Sequence, residues 1–91
     1  MTEKRDVLVL GRRDHAEAMR VAAGLTIFGH RVRLVFMTHP VAETEENAEQ
    51  AELLELADIV PQASFPDPDL EHLDAVALAA AVSEADSVIN L

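Results

Sequence analysis

Apolar residues form two short runs, Val7-Leu8-Val9-Leu10 and Val32, Leu34, Val35, Phe36 and Met37, separated by a helical pattern that Gly29 closes. The first run, followed by Gly11, suits a strand buried on both faces of a parallel sheet. After the turn Gly11-Arg12-Arg13, Asp14 is placed to cap a helix and Glu17, three residues on, to complete a capping box. That helix should run to about Phe28. Gly29 then takes the left-handed position after it, and His30 and Arg31 put positive charge beside its end. The second run is the next strand. With a helix between them the two strands should be parallel neighbours, joined by a right-handed crossover.

The rest of the chain continues the alternation. Residues 1–5 are polar, and fraying or a lead-in to the first strand is expected there. Thr38-His39-Pro40 stops the second strand. A helix is predicted from Glu43 to Ala57, with carboxylates crowded at its start and Ala48, Ala51 and Leu54, with Leu53 and Ala57 beside them, facing the sheet. Asp58-Ile59-Val60 reads as a brief third strand stopped by Pro61, and 62–69 as a loop holding Pro66 and Pro68. An alanine-rich helix from about Leu70 to Ala85 precedes a last strand at Ser87-Val88-Ile89-Asn90-Leu91. Four strands alternating with three helices predict a single α/β domain. It should be a three-layer α/β/α sandwich with a mostly parallel, flavodoxin-like sheet of order 2-1-3-4.

Two helices carry more apolar surface than one sheet face covers. On the first, Val21, Ala22, Leu25 and Phe28 spread beyond the stripe Ala16, Met19, Ala23 and Ile27. On the third, Leu73, Val76, Ala77 and Ala80 lie beside Leu78, Ala81 and Val82. Burial against other copies, at about 25 cal/mol per Å² of apolar area removed from water, predicts a homo-oligomer.

Composition narrows the partners. Seventeen acidic against seven basic residues give a net charge of −10, which argues against nucleic acid or anionic lipid, because phosphate contacts need clustered Lys and Arg. All seven basic residues lie between Lys4 and Arg33, so a basic patch on an acidic body is expected. No cysteine is present, which excludes disulfides and thiolate chemistry within the chain and fits a reducing compartment. The first five residues carry no signal-peptide pattern, and no apolar run approaches the roughly 18 residues of a membrane span. The expectation is a cytoplasmic protein.

Candidate chemistry is sparse. In an open parallel sheet, ligands sit beyond the carboxyl ends of the strands. There Gly11, Arg12, Arg13, Asp14 and His15 after the first strand, Thr38 and His39 after the second, and Gln62 and Ser64 near the third would line a crevice at a helix N-terminus; Arg12, Arg13, His15 and His39 make it a candidate small-anion site. The alternative is that Arg12 and Arg13 are turn residues paired with nearby acids. His15 and His39 could meet as a metal pair, but no metal-ligand spacing occurs on any one element. Gly11 alone stands where a dinucleotide fingerprint needs three glycines, and no phosphate loop or serine elbow is present. No catalytic residue, cofactor or metal is therefore assigned, and a non-enzyme is favoured.

Three stretches, Val7 to Gly11, Ala18 to Phe36 and Leu78 to Leu91, resemble the DsrE/DsrF-like family, which includes the Tus sulfur-relay subunits. The resemblance covers about half the chain. It implies an α/β fold assembling as dimer, trimer or hexamer, in some cases with other subunits. Active members carry sulfur as a persulfide on a cysteine in a loop beyond a middle strand. The corresponding stretch here, Val60-Pro61-Gln62-Ala63-Ser64-Phe65, has none, and a hydroxyl cannot replace a thiolate in persulfide transfer. The resemblance thus implies a cysteine-less relative, an accessory or structural partner of a sulfur-carrier protein. The rival reading is a small-molecule or anion-binding module using the crevice.

Overall fold

A computed structural model describes residues 4–91. Residues 1–3 of the segment expected to fray lie outside the described residues. Arg5 is tied in, its N–H donating to His30 Nδ1 at 3.2 Å and its carbonyl accepting from Arg31 N at 2.9 Å.

The elements are β1 (Asp6–Gly11), α1 (His15–Ile27), β2 (Arg31–Phe36), α2 (Glu45–Leu56), β3 (Gln62–Ala63), β4 (Glu71–His72), α3 (Ala75–Glu84) and β5 (Ser87–Asn90). They form one five-stranded sheet of order β4-β3-β2-β1-β5 in which every pairing is parallel. Two apolar clusters lie on its two faces. Val9, Leu34 and Phe36 pack with Met19, Ala22 and Leu54 beneath α1 and α2, whereas Leu8, Leu10 and Val35 pack with Leu73 and Ala81 beneath α3. The α/β/α layering matches the expectation; the strand count is five rather than about four.

The expected order 2-1-3-4 is corrected. The third strand pairs with β2, and the last strand takes the free side of β1. Right-handed crossovers supply the reason. Moving from β1 to β2 to β3 in one direction stacks both helices on one face, and only the return over α3 uses the other.

The first β-α-β unit forms as its residues dictate. The Asp14 carboxylate accepts from Glu17 N at 3.0 Å. The capping box is only half made, because Glu17 turns its carboxylate to Arg20. At the other end Gly29, at φ +92°, donates to Thr26 O and His30 N to Leu25 O, a Schellman termination.

The same motif accounts for the misplaced third strand. Asp58 adopts φ +57°, its N–H donates to Glu55 O, and Ile59 N donates to Leu54 O. Residues 58–60 therefore terminate α2 instead of extending, and Ile59 folds back onto Leu54 in the core. Pairing begins only at Gln62, inside the segment expected to be a loop.

Two helices differ in detail from their expected form. α2 is capped by Thr44, whose hydroxyl accepts from Asn47 N, and its inward stripe is Asn47, Gln50, Leu54 and Ala57, with Ala48 and Ala51 exposed. α3 starts five residues later than expected. Glu71 and His72 pair with β3, and Asp74 then caps the helix by accepting from Ala77 N at 2.8 Å. No described helix is long and apolar enough to cross a membrane.

Candidate functional site

The chain leaves β1 toward β2, β3 and β4 and returns on the opposite side as β5, so strand order reverses between β1 and β5. Ligands of open α/β sheets bind beyond the carboxyl ends at such a point. Gly11 ends β1 there because a Cβ would lie 3.0 Å from Phe36 Cδ1 and 3.2 Å from the Ala18 methyl. The loop after it is stitched to the end of β5. Arg13 N and Asp14 N donate to Leu91 O at 3.2 and 2.9 Å, and Arg12 Nε donates to Asn90 Oδ1 at 3.0 Å. Arg12, Arg13, Asn90 and Leu91 line the shallow depression that results.

A second shallow depression, of about 270 Å³, lies between the N-termini of α1 and α2, with Arg13, His15 and His39 on its walls. Thr38 turns the chain out of β2 in the left-handed region, at φ +61°. Its hydroxyl lies 3.1 Å from Arg12 O and 2.8 Å from His39 Nδ1. A carbonyl only accepts, so the single hydroxyl proton goes to Arg12 O and His39 donates from Nδ1.

His15 opens α1 with only 6% of its surface exposed. Its ring meets Phe36 edge-on at 5.1 Å and overlies the His39 ring at 4.6 Å with a tilt of 38°. Its Nε2 is buried without a hydrogen-bond partner. Burial, then the neighbouring His39, pushes the His15 pKa below 6.5, with Asp14 opposing. At neutral pH the buried ring is uncharged.

Of the four residues in the candidate anion site, Arg13, His15 and His39 thus border one depression. Arg12 faces β5 and shares only the first depression, with Arg13. Among the described residues the only ion pairs are Arg20–Glu17 and Arg31–Asp6, so neither Arg12 nor Arg13 has the acidic partner that the alternative reading required. Gln62 is committed to the sheet face, accepting from Arg33 and donating to Glu71. Ser64 follows β3, its N–H donating to Phe36 O at 2.9 Å. No group of three His, Asp or Glu among the described residues is arranged to hold a metal.

Thr38 was expected at the crevice and stands there, between Arg12 and His39; Asn90 and Glu46 were not singled out from the sequence. Asn90 acts through Arg12 at the other end of the chain, and nothing in the local pattern marks it. Glu46 lines the depression between the two helix N-termini.

A separate surface lies on the outside of the α1–α2 layer. Ala23, Gly24, Ile27, Leu53 and Leu56 border an apolar trough of about 350 Å³ with Arg20 at its rim. Ile27 and Leu56 are 80% and 83% exposed. Comparison with family models, characterised proteins and solved structures found no match for this chain.

Proposed function

We propose that this chain is a non-catalytic assembly protein that associates with copies of itself through the apolar trough between α1 and α2. The observation that carries the reading is the pair Ile27 and Leu56, each at least four-fifths exposed on facing helices. Burying a large aliphatic side chain is worth about 1.5–3 kcal/mol, and a two-fold arrangement brings the same patch from both copies together. On α3, Val76 and the partly exposed Val82 offer further apolar surface.

Each copy carries ten net negative charges, so association works against mutual repulsion and strengthens as salt screens it. Native mass spectrometry and sedimentation at low and moderate salt test the reading. The native chain should be oligomeric, and Ile27→Glu with Leu56→Glu should leave a folded monomer. A native chain that is monomeric at micromolar concentration and moderate salt refutes it.

The accessory role in intracellular sulfur trafficking belongs to the same proposal. It rests on the DsrE-like pattern together with the absence of any thiol nucleophile. A labelled persulfide donor should leave the chain unmodified, while a sulfur-carrier protein should co-purify with it from its own cells. Stable covalent labelling of the chain would overturn that role.

A further inference from the structure

We propose that the free side of β5 is a second contact between copies of this chain, in which Ser87–Asn90 pairs antiparallel with its own counterpart and joins two five-stranded sheets across a two-fold axis. It is separate from the trough between α1 and α2 and does not depend on it.

The sheet ends in two edges of opposite character. β4, at one end, has two residues, Glu71 and His72, both exposed, and follows a segment that holds Pro66 and Pro68. Short, charged edges with prolines nearby discourage pairing with another strand. β5, at the other end, consists of Ser87, Val88, Ile89 and Asn90, with no charge, no proline and two β-branched apolar residues. Its main chain is unpaired on the outer side among the described residues. Arg5 O and Gly11 O accept from Arg31 N and Met37 N on the β2 side, so the carbonyls of even-numbered β1 residues turn toward β5, where Leu10 O accepts from Leu91 N. A strand in a parallel pair bonds to its neighbour through every second residue. With Val7 beside Ser87 and Val9 beside Ile89, Ser87 and Ile89 bond inward. The N–H and C=O of Val88 and Asn90 therefore point outward.

A second copy fits that edge. Antiparallel pairing centred on Ile89 sets Val88 opposite Asn90 of the other copy, and opposite residues at such positions exchange both of their main-chain hydrogen bonds. The two Ile89 side chains meet at the closely spaced, non-hydrogen-bonded position between them, each covering apolar surface that the α1–α2 cluster leaves half-buried. Charge sorts the direction. Glu84 and Asp86 lead into β5, whereas Arg12, bonded to Asn90 Oδ1 and without an acidic partner among the described residues, stands at its far end. Antiparallel pairing brings each basic end to the other copy's acidic end; parallel pairing would set like beside like. The two-fold uses the same patch from both copies and closes on itself. The seam is small. A strand of four residues on each side buries well under the roughly 1,000 Å² of a lasting interface, so copies held by it alone part at micromolar concentration and pair near millimolar.

Amide exchange followed by NMR, on the full chain carrying Ile27→Glu and Leu56→Glu, tests the seam apart from the trough across micromolar to millimolar concentration. The Val88 and Asn90 amides should be unprotected when dilute and exchange at least about tenfold more slowly when concentrated, while amides within β1 and β2 keep one rate. In a mixture of labelled and unlabelled chains, an NOE from Val88 of one copy to Asn90 of the other is expected. Val88→Pro deletes an outward N–H and no bond to β1, so it should remove the concentration dependence at Asn90. Val88→Lys takes its place if circular dichroism shows the proline variant unfolded. Rates at Val88 and Asn90 that stay constant and unprotected up to millimolar concentration overturn the proposal. So does slow exchange at every dilution, which would mean that the edge is covered from within the chain, or an NOE pattern of parallel register. A native chain that fails to assemble through the trough changes none of these outcomes.

Discussion

Asp58→Gly should stabilise this protein, and Gly29→Ala should destabilise it. Both positions follow a helix in the left-handed region, at φ +57° and +92°, and both sit in the same two-bond Schellman motif. An L-residue costs roughly 1–2 kcal/mol in that conformation, while glycine there adds about 0.5–1 kcal/mol of unfolded-state entropy. Asp58 also sets a carboxylate against the negative end of α2, an unfavourable placement of about 0.3–1 kcal/mol. The net gain for Asp58→Gly is about 1 kcal/mol, and Asp58→Asn should recover only the charge component. At Gly29 an added Cβ would meet nothing within 4 Å, so Gly29→Ala suffers no overlap and its loss of about 1 kcal/mol is conformational. Urea unfolding followed by circular dichroism reads both as midpoint shifts at constant slope. In melting temperature, 1 kcal/mol is about 4–8 °C for a domain of this size. A lower midpoint for Asp58→Gly refutes the account of how α2 ends, and with it the reason Ile59 is not in a strand.

Gly11→Ala, by contrast, meets Phe36 and the Ala18 methyl directly and should cost about 1–3 kcal/mol by overpacking, read in the same unfolding assay. Leu54 is the one fully buried side chain of α2. Leu54→Ala should therefore cost about 2–5 kcal/mol and Leu53→Ala far less, and equal losses would mean that α2 docks by another face. Gln50 buries an unpartnered Oε1, so Gln50→Leu should be neutral or stabilising by up to about 1–3 kcal/mol in a urea titration. In phosphate-free buffer the His15 ring should titrate below 6.5 by NMR, because its burial disfavours the cation. The unfolded chain then binds more protons. The contribution of His15 to stability is complete above about pH 6.5, falls as pH drops toward the lowered folded value, and levels off beneath it. A His15 midpoint at or above 6.5 would contradict its burial.

What the residues determine locally is visible before any fold is drawn. The unbroken run Val7 to Leu10, stopped by Gly11, reads as a strand covered on both faces. Asp14 and Gly29 bracket α1 because a carboxylate accepts from the Glu17 amide in its first turn and a glycine takes the left-handed turn. Ser87 to Asn90 forms the last strand where its alternation lies. Arg13, His15 and His39 could be grouped because they follow strand ends, and parallel strands deliver their carboxyl ends to one edge.

The remainder is decided between distant segments. Asp58-Ile59-Val60 has strand composition, yet the gain from folding Ile59 onto Leu54 and closing two backbone bonds outweighs two residues of pairing. Gln62 and Ala63 become a strand only because β2 presents its open edge to them. α2 turns Asn47 and Gln50 inward instead of Ala48 and Ala51 because its rotation follows from packing against α1, which a near-uniform alternation of Glu and Ala leaves unspecified. The separation of Arg12 from His15 and His39 likewise depends on β5 arriving beside β1 rather than β3. Hydrogen bonds within a few residues are written in the chain itself, whereas strand order is set by which faces the crossovers leave for the next element.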